Sequence, residues 1–153
     1  MPKSVLVVED EGGVRRALGR LLADWGFRTI EAGNGREAIQ RLAEETPSAI
    51  VIDLLMPIMS GAELLKALRR NAFYRRIPTV VMTGAAPSEG VSAAEALGVP
   101  VVFKPNIEKI PEILRGLMAA NTPAPATVDV PTAAARAEVS GPIGAMTGDA
   151  EPG

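Results

Sequence analysis

The sequence predicts an α/β protein built on a parallel sheet. Five short apolar runs rich in β-branched residues alternate with five segments whose apolar residues recur at helical spacing. This alternation is typical of βαβ units, in which right-handed crossovers place helices on both faces of the sheet. Continuously apolar runs also fit strands that are buried on both sides. The predicted strands are residues 4–8, 27–32, 49–52, 79–82 and 101–103.

The helical segments each carry one apolar stripe, which we assign to the core. The first stripe runs from Val14 to Trp25, and the fourth, at 89–97, is weak and alanine-rich. Pro111 cannot lie deep inside a helix, so the last helix is expected to begin between Glu108 and Ile110. The other predicted helices are centred on residues 38–42 and 64–68.

Composition excludes several kinds of chemistry. The 153 residues include no cysteine and no histidine, which removes disulfides, thiolate zinc sites and Ser-His-Asp catalysis. The net charge is -2, and we expect no binding to nucleic acid or to membranes. Arginines at 69, 70, 75 and 76 are interpreted as solvated residues that complement a helix dipole. Without a signal peptide or a bilayer-spanning run, the expected location is cytoplasmic.

The composition changes near residue 121. Residues 122–153 are rich in Ala, Pro, Gly and Thr and contain four acids but one base, a net charge of -3. Such a segment cannot bury enough apolar surface to offset its ordering entropy. We therefore predict one folded domain at residues 1–121 and a disordered tail at 122–153, with no output domain.

Polar residues lie at the ends of four predicted strands. Glu9 and Asp10 follow the first strand, Asp53 the third, Thr83 ends the fourth and Lys104 follows the fifth. The carboxyl ends of parallel strands share one edge, so these side chains should converge. Crowded carboxylates raise the pKa of at least one of them unless a hard cation such as Mg²⁺ binds there. A cation, a lysine and a hydroxyl together suit phosphoryl transfer.

The motifs at these strand ends resemble a known family. VLVVEDE at 5–11, DLLMP at 53–57 with Gly61, VVMT at 80–83 and FKP at 103–105 are together similar to the receiver domain of bacterial response regulators. The similarity covers residues 3–120. Among the members of this family, the chain resembles stand-alone, single-domain response regulators like the chemotaxis regulator. It implies a flavodoxin-like, doubly wound five-stranded sheet of order 2-1-3-4-5.

The resemblance also implies a role for each acid. Asp53 would be the phosphoacceptor, and Asp10 the direct ligand of Mg²⁺. Glu9 would assist the metal through water. Asp53 itself and the backbone carbonyl of Leu55 would complete the protein ligands.

The remaining implied roles concern signalling in a two-component phosphorelay. Lys104 would pair with the phosphoryl group, and Thr83 would be the switch hydroxyl. The implied partners are a histidine kinase or histidine phosphotransfer protein and an unknown downstream target protein. The chain would not be an enzyme beyond self-catalysed phosphotransfer and slow autodephosphorylation.

Two alternatives remain open. In the first, the chain is a phosphate sink, which accepts the phosphoryl group without a switch in conformation. This alternative arises because Val101 stands where receivers usually carry an aromatic residue. The segment from Gly33 through Gly35 to Ala38 fits the G-x-G-x-x-A pattern of a nucleotide-binding module. The same glycines also fit a plain tight turn and helix start.

Overall fold

The computed structural model describes residues 3–56, 58–84 and 89–120, and the predicted tail at 122–153 lies outside them. The described chain forms a five-stranded sheet, parallel throughout, in the order β2-β1-β3-β4-β5. The predicted fold class and the strand order implied by the resemblance are therefore confirmed. The strands are β1 (Ser4–Val8), β2 (Arg28–Ala32), β3 (Ala49–Asp53), β4 (Thr79–Thr83) and β5 (Val101–Phe103).

Within the part of the chain that the structure describes, five α-helices connect and follow the strands. The last of them begins at Ile110, as expected from Pro111, because proline is tolerated in the first turn of a helix. Two short 3₁₀ helices, Tyr74–Arg76 and Lys104–Lys109, were not predicted. No helix within the described ranges is long and apolar enough to cross a bilayer. The α-helices are α1 (Gly12–Asp24), α2 (Gly35–Glu44), α3 (Gly61–Arg70), α4 (Glu89–Ala96) and α5 (Ile110–Ala120).

The core has two halves, one on each face of the sheet. Leu6 and Val8 of β1 pack with residues of α2, α3 and α4. Val5 and Val7 of the same strand pack with residues of α1 and α5. Successive side chains of a strand point to opposite faces, so a continuously apolar strand supplies both halves.

The strand boundaries differ slightly from the predicted ones. Strands β3 and β4 each extend one residue further, because Asp53 is in register with Met82 and Thr83 with Phe103. Asp53 and Thr83 are therefore the last residues of their strands, and the backbone of each is fixed within the sheet. Strand β2 begins one residue late, since the amide of Phe27 donates to the carbonyl of Leu22 and closes the end of α1.

The interpretation of the arginines as solvated is wrong for Arg69. This side chain is half-buried, and its Nη1 donates to the carbonyl oxygen of Arg75 at 2.6 Å. The 3₁₀ helix after α3 turns the chain back and brings that carbonyl within reach. Arg70, Arg75 and Arg76 are exposed, as predicted.

Candidate functional site

The predicted polar residues converge at the carboxyl edge of the sheet. Asp53 and Thr83 end two neighbouring strands, and Glu9 and Lys104 follow the strands on either side of them. Glu9, Asp53 and Thr83 are almost fully buried, whereas Asp10 is exposed. One carboxylate oxygen from each of Glu9, Asp10 and Asp53 lies within 4.8 Å of the others. The sheet thus brings three acids, a hydroxyl and an ammonium group to one place.

Lys104 links the two buried acids. Its Nζ lies 3.2 Å from Oδ2 of Asp53 and 3.2 Å from Oε1 of Glu9. The stem of Lys104 runs beside Gly84, where a Cβ atom would lie 3.5 Å from its Cδ. A Cβ atom at position 84 would therefore make only ordinary van der Waals contact with the stem of the lysine.

Backbone amides hold the buried carboxylates in place. The amide of Leu55 donates to Oδ1 of Asp53 at 3.2 Å, and the amide of Glu11 donates to Oε2 of Glu9 at 3.0 Å. The backbone of Glu9 is itself fixed by a bond from its amide to the carbonyl of Ala32. Each carboxylate therefore has a defined orientation before any ligand arrives.

The electrostatics of the site centre on Glu9. Burial raises the pKa of Glu9 to about 7, and the charge of Asp53 adds to that effect, while the Glu11 amide and Lys104 oppose it. Burial alone would lower the pKa of Lys104, but Asp53 and Glu9 together raise it, so the lysine stays charged. The sequence led us to expect a raised pKa for one of the crowded acids, and this acid is Glu9. Its burial contributes more to the rise in pKa than the charge of Asp53 does.

These acids fit a hard divalent cation. Oε1 of Glu9 is buried and receives no aligned hydrogen bond, although Lys104 lies near it. A buried acceptor without a donor is costly, and a cation at the three carboxylates would satisfy it. Mg²⁺ prefers such all-oxygen ligands and needs only one or two carboxylates, because it retains water.

Arg15 is a part of the site that the sequence did not reveal. Its Nη1 donates to the backbone carbonyl of Glu9 at 2.6 Å, and its Nε pairs with Glu31 at 2.9 Å. Arg15 thereby ties α1 to the ends of β1 and β2. No local pattern signals this contact, because its acidic partner is 16 residues away in the chain.

The glycine-rich turn after β2 is a helix cap. Oδ1 of Asn34 accepts from the amide of Glu37 at 2.9 Å, and Oε1 of Glu37 accepts from the amide of Gly33 at 2.6 Å. This reciprocal arrangement is close to a capping box. The amide of Gly33, which a pyrophosphate would need, is therefore occupied by a carboxylate, and the geometry favours the plain turn.

Known proteins share this sequence pattern. The family model described as "Response regulator receiver domain" matches residues 5–115. Response regulator MprA from Mycolicibacterium vanbaalenii is 34% identical over 125 residues, which cover 80% of this chain and 53% of that protein. Sporulation initiation phosphotransferase F from Bacillus subtilis is 29% identical over 98 residues, 64% of this chain and 77% of that one. The chain thus spans about half the length of MprA.

Solved structures share the fold. The chemotaxis protein CheY4 from Vibrio cholerae superposes with a TM-score of 0.68 at 28% identity, over 76% of this chain and 99% of that one. The family match covers most of the described residues, and the fold and the acidic edge agree with it. The chain belongs to the response regulator receiver domains, the aspartate-phosphorylated phosphoacceptors of two-component systems.

Proposed function

We propose that Asp53 is the residue that accepts the phosphoryl group, and that the donor is a phosphohistidine. The observation that carries this proposal is the buried carboxylate of Asp53, which is oriented by the Leu55 amide and faces Lys104 at 3.2 Å. The 153 residues include no histidine, so the donor imidazole comes from outside them. A histidine kinase or a histidine phosphotransfer protein has the required chemistry.

In the proposed transfer, an oxygen of Asp53 forms a bond to phosphorus while the bond from phosphorus to the imidazole nitrogen breaks. The leaving imidazole keeps that electron pair and stays on the donor protein. Lys104 lies where it can neutralise a phosphoryl oxygen, and the hydroxyl of Thr83 is the proposed donor to another. Such preorganised charges stabilise a transition state in which charge spreads over the phosphoryl oxygens.

The proposed cofactor is Mg²⁺. Asp10 and Asp53 would hold it directly, Glu9 through water, and the carbonyl of Leu55 would complete the set. When bound, it supplies positive charge to the phosphoryl oxygens and keeps the carboxylates ionised. The close spacing of the three carboxylates supports this assignment.

We propose that residues 1–121 are the functional unit and that it signals by binding a downstream protein. A non-switching phosphate sink is the second candidate, and a specific observation favours it. Val101 is half-buried against the core, while Phe103, the register partner of Thr83, is 41% exposed, so no aromatic ring of β5 is buried in the core. The usual coupling of the hydroxyl to an aromatic switch would then be absent.

The test of the phosphoacceptor is labelling by a small phosphodonor. Incubation with acetyl phosphate and Mg²⁺ should add one acid-stable, base-labile phosphoryl group, and Asp53→Asn should abolish it. Asp24→Asn, at the exposed end of α1, is the matched control and should label normally. Undiminished labelling of the Asp53 variant would contradict the assignment.

A further inference from the structure

A second polar site lies at the opposite edge of the sheet from Asp53. There, a cleft of about 260 Å³ opens between the end of α3, the segment entering β4 and the end of α5. Three of its lining residues are arginines, namely Arg69, Arg75 and Arg76, and the lining includes no acidic residue. The cleft is thus strongly positive and is separate from the carboxylate cluster.

Two arginines of this cleft, Arg69 and Arg75, have no acidic partner in the described structure. Nε of Arg69 is buried without an acceptor, and burial lowers the pKa of its guanidinium. A partly desolvated cation with an unused donor gains more from an anion than a fully solvated one does. The geometry therefore favours a carboxylate or another anion in the cleft.

The position of α5 indicates which anionic group lies close to the cleft. Leu117 and Ala120, near and at the end of α5, line the cleft, so the chain leaves the domain at its rim. The 33 residues that follow include Asp129, Glu138 and two further acids, against one arginine. Asp129 is nine residues beyond Ala120, and an extended chain spans roughly 3.3 Å per residue, which is ample for its carboxylate to reach back.

We propose that the acidic segment at 122–153 binds the arginine cleft of its own chain. Carboxylates pair readily with guanidinium groups, because two parallel hydrogen bonds can form. The short tether keeps the effective concentration of the acids high, on the order of millimolar. The attachment is electrostatic and weak per pair, since Arg75 and Arg76 are exposed. It lies away from Asp53 and leaves the phosphorylation site open.

The test compares amide NMR spectra of the full chain and of a tail-neutral variant, Asp129→Asn with Glu138→Gln, Asp149→Asn and Glu151→Gln. Within the described domain, chemical-shift differences should be confined to the residues that line the cleft, at and near 69, 75–79, 98–100 and 117–120. They should disappear at about 1 M salt, where the Debye length is about 3 Å. They should also be independent of protein concentration, because the contact is within one chain.

Two arginine backgrounds make the test specific. In Arg75→Gln with Arg76→Gln, neutralising the tail should produce a much smaller shift at the cleft, because only the guanidinium of Arg69 remains to bind an acid. In Arg16→Gln with Arg20→Gln, a control pair on α1 that lines another cavity, the tail effect should persist in full. Arg69 is left intact, because its bond to the Arg75 carbonyl also holds the fold.

Four results would overturn the proposal. The first is the absence of any shift at the cleft when the tail is neutralised, and the second is an equal shift in the Arg75 and Arg76 background. The third is dependence on protein concentration, which would assign the cleft to the tail of a second copy. The fourth is a cleft that responds to added inorganic phosphate but not to tail neutralisation, which would make it a site for a free anion.

Discussion

Gly61 packs directly against the backbone of Asp53. A Cβ atom on Gly61 would lie 2.0 Å from the carbonyl oxygen of Asp53, far inside contact distance. The amide of Gly61 donates to the carbonyl of Leu54, and Ser60 caps α3 through a capping box with Glu63. The start of α3 is thereby pressed onto the end of β3, which fixes the proposed phosphoacceptor.

Gly61→Ala should therefore displace Asp53 as well as weaken the fold. We expect a loss of about 3 kcal/mol in the free energy of unfolding, the upper range for overpacking, and reduced labelling by acetyl phosphate. Urea unfolding and labelling measure the two effects. Gly116→Ala is the control, because nothing lies within 4 Å of its Cβ position and alanine favours a helix interior. Equal stability of both variants would refute the packing argument.

Ile58 adopts a backbone conformation that disfavours its side chain. Its φ angle is 73°, in the left-handed region, and its side chain is 67% exposed. A β-branched residue there is strained, and little packing is lost on its removal. Ile58→Gly should raise the free energy of unfolding by about 1 kcal/mol, measured by thermal melting. Ile58→Val keeps the branched Cβ and should give no gain; a gain from valine would argue against strain.

The sequence pattern predicted the strands well because their apolar, β-branched runs are buried on both faces. The predicted ends of β3 and β4 are one residue short, at Asp53 and Thr83. Polar residues at strand ends carry no apolar signal, although their backbone still pairs in the sheet. The strand order came from the resemblance, because alternation alone does not specify neighbours.

Contacts between distant segments could be predicted only where polar residues lie at strand ends. Arg15 reaches Glu31, and Lys104 reaches Asp53 across 51 residues; only the second contact had a signal, namely a polar residue at a strand end. The burial of Arg69 depends on the 3₁₀ turn after α3, which the sequence pattern did not indicate. The polar residues at strand ends could therefore be predicted from the sequence, whereas the contacts that the helix residues Arg15 and Arg69 make could not.

The metal-free protein should lose stability as pH rises. The pKa of Glu9 is about 7 in the folded protein against 4.5 for a free side chain. A group whose folded pKa is raised favours folding below its unfolded pKa, and that contribution is lost as pH rises through the folded pKa. Between about pH 4.5 and 7 the free energy of unfolding should therefore fall by about 3 kcal/mol. Urea unfolding in the presence of a chelator measures it.

Glu9→Gln should remove most of this pH dependence and stabilise the metal-free protein at neutral pH. Millimolar Mg²⁺ should stabilise the wild type most above pH 7, because a ligand of the native state raises stability by mass action. Glu112→Gln, an exposed acid on α5, is the control and should leave the slope unchanged. If the free energy of unfolding of the Glu9 variant still fell with rising pH, titratable groups other than Glu9 would be responsible.

The aspartyl phosphate should be long-lived, and Leu55 is one reason. Its side chain is 57% exposed, two residues after Asp53, and has no polar atom to orient an attacking water. Leu55→Asn should speed dephosphorylation several-fold, as followed by loss of label after removal of the donor. Leu97→Asn, an exposed leucine beyond α4, should decay like the wild type. Unchanged decay in the Leu55 variant would remove this explanation.

Phosphorylation should reshape the β5 face only weakly, because Val101 cannot act as an aromatic switch. Val101 is in register with Val81 and has one side-chain torsion, while Phe103 is exposed and adjacent to Lys104. Movement of Thr83 toward a phosphoryl group would leave a space that valine is too small to fill. We therefore expect binding of beryllofluoride, a phosphoryl mimic, to shift amide resonances near Asp53 and Thr83 and to leave α5 nearly unchanged.

Val101→Tyr should extend those shifts onto β5 and α5, because a ring at this position can move into the space beside Thr83 and carry the change to the surface. The comparison needs the variant's own spectra with and without beryllofluoride, so that the substitution itself does not count as a response. Val102→Ile, on the opposite face of β5, is the matched control and should respond like the wild type. Large shifts across α5 in the wild type would show that this receiver switches without an aromatic residue at position 101, and the phosphate-sink alternative would then fail.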